Sequence, residues 1–267
     1  MTIYSKLADF ASLFKLKKAW ILFFRSFFIQ AYWNREGLQN IGFAFTILPF
    51  LTKIYSKNSE KLNAAITRHL DYFVTNPYLV PLVAALVIDK EESSLTSERN
   101  MDKEIPMIKK YLSSSLAAIG DSFIWGCLRP FNSIIGCMLF FVCFKNITSN
   151  YIVLSIILYL LLYNSVTLNV RFLCGAAGIR YKEAVLQYLK KIPLAKIHHV
   201  LCLIGLAITS FLILFFIICN VPTVKLKLFS ALFLILFVSL KILEQSTIKI
   251  FISGLVLCVI LTAIGLL

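Results

Sequence analysis

Between Ser113 and Pro130 the chain reads SSSLAAIGDSFIWGCLRP, and no other stretch limits its fold as strongly. Gly120, Asp121, Arg129 and Pro130 crowd together inside strongly apolar surroundings. A charge facing lipid at membrane depth costs several kcal/mol. Gly-Asp and Arg-Pro interrupt regular helices, and peptide groups released in hydrocarbon find no water. The segment is therefore expected to be buried in protein or to line a wet cavity, as a broken or re-entrant helix. A membrane-surface loop between helices is the plainer alternative.

The apolar surroundings decide the class. Of 267 residues 59% are hydrophobic, and the mean hydropathy of +0.83 is too high for a soluble domain of this length. A net charge of +14 could mark a nucleic-acid binder. Here the basic residues gather between apolar spans, as the positive-inside rule requires, and no nucleic acid is expected. The seven cysteines are scattered without a CxxC pair, and His69, His198 and His199 form no ligand or triad spacing. No phosphate-cradling or nucleophile-elbow motif occurs, so no metal, cofactor or catalytic residue is expected. The first twenty residues lack the order of a signal peptide, and the N-terminus is expected to be retained on the cytoplasmic side.

Ile3, Leu7, Phe10 and Phe14 form one helical stripe, with Lys6, Lys15, Lys17 and Lys18 largely off it and Trp20 following. Residues 1–28 read as an interfacial amphipathic helix on a cytoplasmic lipid surface, or as a soluble helix packed on its own protein. In IQAYWNREGLQNIG (29–42), Trp33, Glu36 and Asn40 would share one helical face, widened by Asn34 and Gln39. Amides and a carboxylate beside an indole suit sugar hydroxyls and the C–H face of a pyranose. They equally suit plain helix contacts in a bundle.

Residues 43–51 are apolar and expected to end at Pro49, and residues 53–73 read as a basic amphipathic helix in which His69 serves packing. Asn76-Pro77-Tyr78 signals a turn. Residues 79–88 are apolar but too short to span, and 89–110 read as a solvated linker and helix start. The 29–130 region is thus a substrate-site helix, a cytoplasmic helix and re-entrant core segments. Residues 131–267 form a transmembrane region: 131–144 apolar, 151–170, 200–219, 226–243 and 248–267 as spans. A basic loop from Arg171 and Arg180 to Lys196 marks the cytoplasmic side, which leaves the C-terminus outside. The expected fold is all-α, a polytopic membrane protein with N-terminal amphipathic and re-entrant hairpins and about four to five C-terminal transmembrane helices.

Four stretches, in order, carry a resemblance. Arg25–Tyr55 holds Gln30, Trp33, Asn34, Glu36, Gln39 and Gly42 in the spacing Q-x-x-W-N-x-E-x-x-Q-x-x-G. Ala65–Leu79 is similar to R-H-L-x-F-F-N-T-x-P and is followed by Glu91-Glu92. Leu116–Pro130 is similar to L-A-G-I-G-D-x-x-x-W-x-x-x-R-P, and Tyr163–Ala184 to an arginine- and glycine-marked helix end. Together they resemble the IID membrane component of mannose/fructose/sorbose-type sugar phosphotransferase systems. The resemblance implies a bacterial inner-membrane subunit that joins a IIC chain in a trimer of IIC–IID heterodimers. With soluble IIA and IIB phosphocarriers, this unit would import a mannose-type hexose or amino sugar. It implies a sugar-facing surface of Trp33, Asn34, Glu36, Gln39 and Asn40, with Asp121 reaching substrate and Gly120, Arg129 and Pro130 holding the core. No phosphorylated histidine is implied.

The chain departs from the pattern at Ser114-Ser115 and Ala118, where glycine and proline are usual, and at Ile179–Ala184. Glycine totals ten, which leaves open a degenerate member that assembles in the membrane without transporting.

Overall fold

The computed structural model describes residues 16–95, 101–143 and 149–220, with further single residues between 231 and 256. Every regular element among them is helical. Residues 16–25 form α1, continued by a 3-10 turn over Ser26–Gln30, then α2 (Asn40–Ile54), α3 (Ser59–His69) and α4 (Val80–Ser94). After α5 (Met101–Gly120) comes a π-helical segment (Asp121–Leu128), followed by α6 (Arg129–Cys143), α7 (Ser149–Tyr181), α8 (Ala184–Lys191) and α9 (Leu194–Asn220). The chain divides into two compact units, Met1–Arg129 with Leu160–Ala195, and Pro130–Tyr159 with Lys196–Leu267.

In the first unit α4 is the centre. Every residue from Val80 to Ile88 is buried, against α2, α5 and the 3-10 turn. A run apolar on all sides can be satisfied only by neighbours on all sides. The Asn76-Pro77-Tyr78 turn launches it as expected: Asn76 Oδ1 accepts the Tyr78 N–H at 3.2 Å, and Pro81 sits in the first turn, where a missing N–H costs nothing. Gly178 of α7 lies so close to Ala85 and Leu82 that a Cβ would overlap them, so glycine sets this helix spacing. In the second unit Asn132 of α6 donates to the Tyr159 carbonyl of α7 at 3.1 Å.

Among the described residues, two helices are long and apolar enough to cross a membrane, Ile152–Tyr181 and Leu194–Phe215. The expected spans 226–243 and 248–267 and the stripe of Ile3 to Phe14 lie largely outside the described residues.

Several boundaries differ from the sequence expectation, each for a physical reason. Residues 31–39 are not helical but a turn, with isolated bridges Asn34–Leu38 and Leu38–Phe73 and Leu38 at φ 56°. Pro49 does not end α2 but lies inside it. Proline has no N–H for the carbonyl four residues back, Phe45 O, and the Arg25 guanidinium takes that carbonyl instead, at 2.8 and 2.6 Å. The basic helix is shorter than 53–73, because Asn58 caps it by accepting the Lys61 N–H at 2.9 Å. The expected linker at 89–94 is the last part of α4.

Around Asp121 the helix is widened rather than broken. The Arg129 N–H bonds Ile124 O, a five-residue step, and Pro130 brings no N–H and a ring that crowds the carbonyl four back. A π segment absorbs both without freeing backbone to lipid. Ile124 and Cys127 face inward while Asp121, Trp125, Arg129 and Pro130 are exposed, so the expected burial of this stretch holds on one face only. Arg171 is not in a basic loop; it lies inside α7.

Candidate functional site

The 31–39 turn is built by its own amides. Asn34 Oδ1 accepts the Gly37 N–H at 2.7 Å, its Nδ2 donates to Asn40 Oδ1 at 2.7 Å, and the Asn34 and Leu38 backbones exchange hydrogen bonds. Short polar side chains that bond nearby backbone favour turns over helix, which is why the apparent helical face at Trp33, Glu36 and Asn40 does not form. The non-glycine φ at Leu38 costs of order 1 kcal/mol and persists because both its neighbours are tied down.

A second segment, Leu70–Asn76, straps this turn to the rest. Asn40 Nδ2 donates to Leu70 O at 2.5 Å, the Gln39 N–H to Phe73 O at 2.9 Å, and the Phe73 N–H to Gly37 O at 3.2 Å. Buried Gln39 accepts the Thr75 N–H on Oε1 at 3.0 Å. The next residue, Asn76, donates from Nδ2 to Asp121 Oδ1 at 3.1 Å. Gly120 lets the π segment approach, since a Cβ there would strike the Asn76 side chain. Gln39 and Asp121 are therefore joined through Thr75 and Asn76. Trp33 (59% exposed), Glu36 and Asp121 keep outward surface, whereas Asn34, Gln39 and Asn40 spend polar atoms on holding the turn.

Beneath the strap lies a charged cluster. Glu91 of α4 is fully buried and accepts from Arg68 (3.0 Å), His69 Nε2 (2.7 Å) and the Tyr55 hydroxyl (2.6 Å). Burial alone would push its carboxyl up, but the bonds from His69 and Tyr55 and the Arg68 charge outweigh it and hold the carboxyl below the usual range. Burial also lowers His69, against the pull of Glu91, so a neutral imidazole donates to a carboxylate. Burial of the phenol and its bond to Glu91 raise Tyr55. Lys109, 1% exposed, donates to His69 O (3.3 Å) and Asp71 O (3.2 Å) below the Phe43 and Phe73 rings. Desolvation brings its amine down to about 8. Arg68 and His69 fall inside the second sequence motif and Glu91 follows it, yet spacing could not show that α3 and α4 bring them together. Thr75 and Asn76 lie in the same motif, Asn76 with a turn signal besides, and Lys109 reads only as a solvated charge.

The architecture is thus that of an all-helical membrane protein with a polar turn strapped over a buried charged cluster. The profile of the PTS system mannose/fructose/sorbose family IID component matches residues 14–267, and the chain belongs to that family. It is 31% identical over 157 residues to the mannose-specific EIID component of Escherichia coli strain K12, covering 59% of this chain and 53% of that one. To the sorbose-specific EIID component of Klebsiella pneumoniae it is 28% identical over 203 residues, covering 76% of this chain and 71% of that one. The match thus spans about half the length of the first relative. In fold it is similar to a chain of the mannose transporter ManYZ in complex with microcin E492, with TM-score 0.54, 23% identity and coverage of 95% and 97%.

Proposed function

We propose that this chain is the IID half of a translocation unit that imports a mannose-type hexose or amino sugar. The other half is a IIC membrane chain, and import is coupled to phosphorylation by IIA and IIB. One observation carries the reading. The strap of Leu70–Asn76 joins the turn bearing Trp33 and Glu36 to the π segment bearing Asp121, so polar residues far apart in sequence belong to one braced, outward surface.

On that surface the Trp33 indole covers the C–H face of a sugar ring, while Glu36 and Asp121 accept its hydroxyls. Asn34, Gln39 and Asn40 contribute whatever polar atoms the turn leaves open, and they fix its shape. Gly120, Arg129 and Pro130 hold the widened helix that presents Asp121. The chain supplies no catalytic residue and sits in the bacterial cytoplasmic membrane. Its N-terminus is cytoplasmic and its C-terminus outside, with four to five spans in the 131–267 region and three heterodimers per assembly. Residues 29–130 form the substrate region.

Glu36→Gln and Trp33→Ala are the test. Each is expected to abolish sugar uptake while membrane levels and partner retention stay unchanged. Normal uptake in both variants would remove the sugar surface from this turn. Saturable sugar binding by the purified complex rejects a role in assembly alone.

A further inference from the structure

Arg171 lies ten residues before Tyr181, where the candidate span Ile152–Tyr181 ends. At 1.5 Å per residue that is roughly 15 Å from the end of a helix about 45 Å long, so a helix centred on a ~30 Å hydrocarbon holds Arg171 about 7 Å inside its edge. The side chain is 5% exposed. Its Nη1 donates to Ser26 Oγ at 3.0 Å, and its guanidinium carbon lies 4.4 Å from the Phe27 ring centre and 5.3 Å from that of Tyr78. Nε has no partner, and no carboxylate pairs with the group among the described residues. With Nη1 engaged and Nε shut away from the surface, Nη2 is the donor left to a group outside this chain. A charge-assisted hydrogen bond from Nη2 to a carboxylate would pair the guanidinium.

Above it runs an aromatic ledge. Phe27, which covers the guanidinium, is 46% exposed, and Trp20, Phe24 and Phe28 are exposed beside it. Trp20 stacks on Phe24 at 5.5 Å and packs on Phe172 at 4.6 Å, while Phe23 meets Phe27 edge-on at 5.2 Å. Lipid tails could cover the rings but offer no acceptor to a guanidinium one ring below. Headgroup phosphates stay at the interface, and a hexose carries no charge. Rigid aromatics around a buried arginine are the composition of an interface hot spot.

We infer that Arg171 is one half of an intramembrane ion pair. The other half is an aspartate or glutamate on a transmembrane helix of the IIC-type partner, docked over Trp20, Phe24, Phe27 and Phe28. This rests on the two-chain reading above and names where its second chain binds.

The test is co-purification of co-expressed tagged chain and partner in mild detergent, with thermal melting of each variant. Arg171→Met removes a buried charge without leaving one unpaired in this chain, so as a purely internal group it would leave partner retention unchanged. The pair predicts at least about a tenfold loss of retained partner with an unchanged melt, partial recovery in Arg171→Lys, and rescue of Arg171→Glu by an acid-to-arginine change in the partner. Should Arg171→Met fail to fold, Phe28→Cys with Arg171 intact is expected to cross-link to a cysteine scanned along the partner's spans. Wild-type retention in Arg171→Met overturns the inference, as does cross-linking of Phe28→Cys only to a second copy of this chain or to nothing. A wild-type chain that purifies alone overturns the two-chain reading itself.

Discussion

Two apolar helices of this chain meet opposite ends. From Val80 to Ile88, α4 is buried all round by protein. Along Leu194–Phe215, a helix of mean hydropathy 2.2, only 6% of the most apolar window is buried, and the corresponding figure along Ile152–Tyr181 is 11%. Composition does not separate them, because burying a side chain among neighbours and leaving it to lipid both remove it from water. Length and charge do. The apolar part of α4 is too short to cross a bilayer, and its helix ends on Glu91, which only fixed donors can solvate in a dry interior. Glu91 of the protein-buried helix takes its partners from other helices, whereas Thr209 and Ser210 of Leu194–Phe215 bond carbonyls of their own helix.

Removing a partner from α4 should therefore cost most. Glu91→Ala strips Arg68 of its counter-charge and leaves the Tyr55 hydroxyl and the His69 ring without their acceptor, a loss expected at about 3–5 kcal/mol. Leu161→Ala, on an α7 residue that is 61% exposed, is expected to stay within about 0.5 kcal/mol. Thermal melts of both variants in one detergent check the comparison. Equal losses would mean that α4 and α7 share one kind of environment.

The same cluster gives the first unit a pH dependence. His69 is lowered from 6.5, chiefly by burial, so the folded state favours the neutral ring. That stability is present above 6.5 and lost as pH falls through the folded value. Glu91, lowered from 4.5 by its donors against the cost of burial, adds a second loss below 4.5. On the alkaline side Lys109 titrates at about 8 when folded and 10.5 when unfolded. The unfolded chain then binds the extra proton, and stability rises from pH 8 upward. Melting temperatures should fall below pH 6.5 and climb between pH 8 and 10. Lys109→Met should flatten the climb alone; a profile unchanged by it would move the titration elsewhere.

How much of this was legible follows from range. The helical class, the Asn76-Pro77-Tyr78 turn and the shortness of the 79–88 run depend on neighbours in sequence, and all three hold. The turn at 31–39 was read as helix because the periods of Trp33, Glu36 and Asn40 fit one, and three amides bonding back to the chain outweigh that period. Arg171 looked like a loop marker because its partners, Ser26 and Phe27, are far back in the sequence. Trp33 and Glu36 stand out in the sequence as an indole and a carboxylate among amides, and their exposure is seen only in the structure. The strap that braces them was not legible, since no spacing shows that Thr75 reaches Gln39 and Asn76 reaches Asp121.

The smallest of these effects probes the other way a helix can hold a polar group in apolar surroundings. Pro49 leaves Phe45 O without its N–H donor, and Arg25 Nε and Nη2 fill the gap while the guanidinium lies 3.7 Å from the Phe45 ring centre. Burial lowers the Arg25 guanidinium from its ordinary value, yet it remains charged at any working pH. Arg25→Met should cost about 1–3 kcal/mol by orphaning that carbonyl. Pro49→Ala should return most of it, because alanine restores the helical N–H that proline lacks. In a double-mutant cycle of thermal melts the two changes are then non-additive, with the pair closer to wild type than Arg25→Met alone. Additive losses would show that the arginine serves the Phe45 ring and not the carbonyl that proline left open.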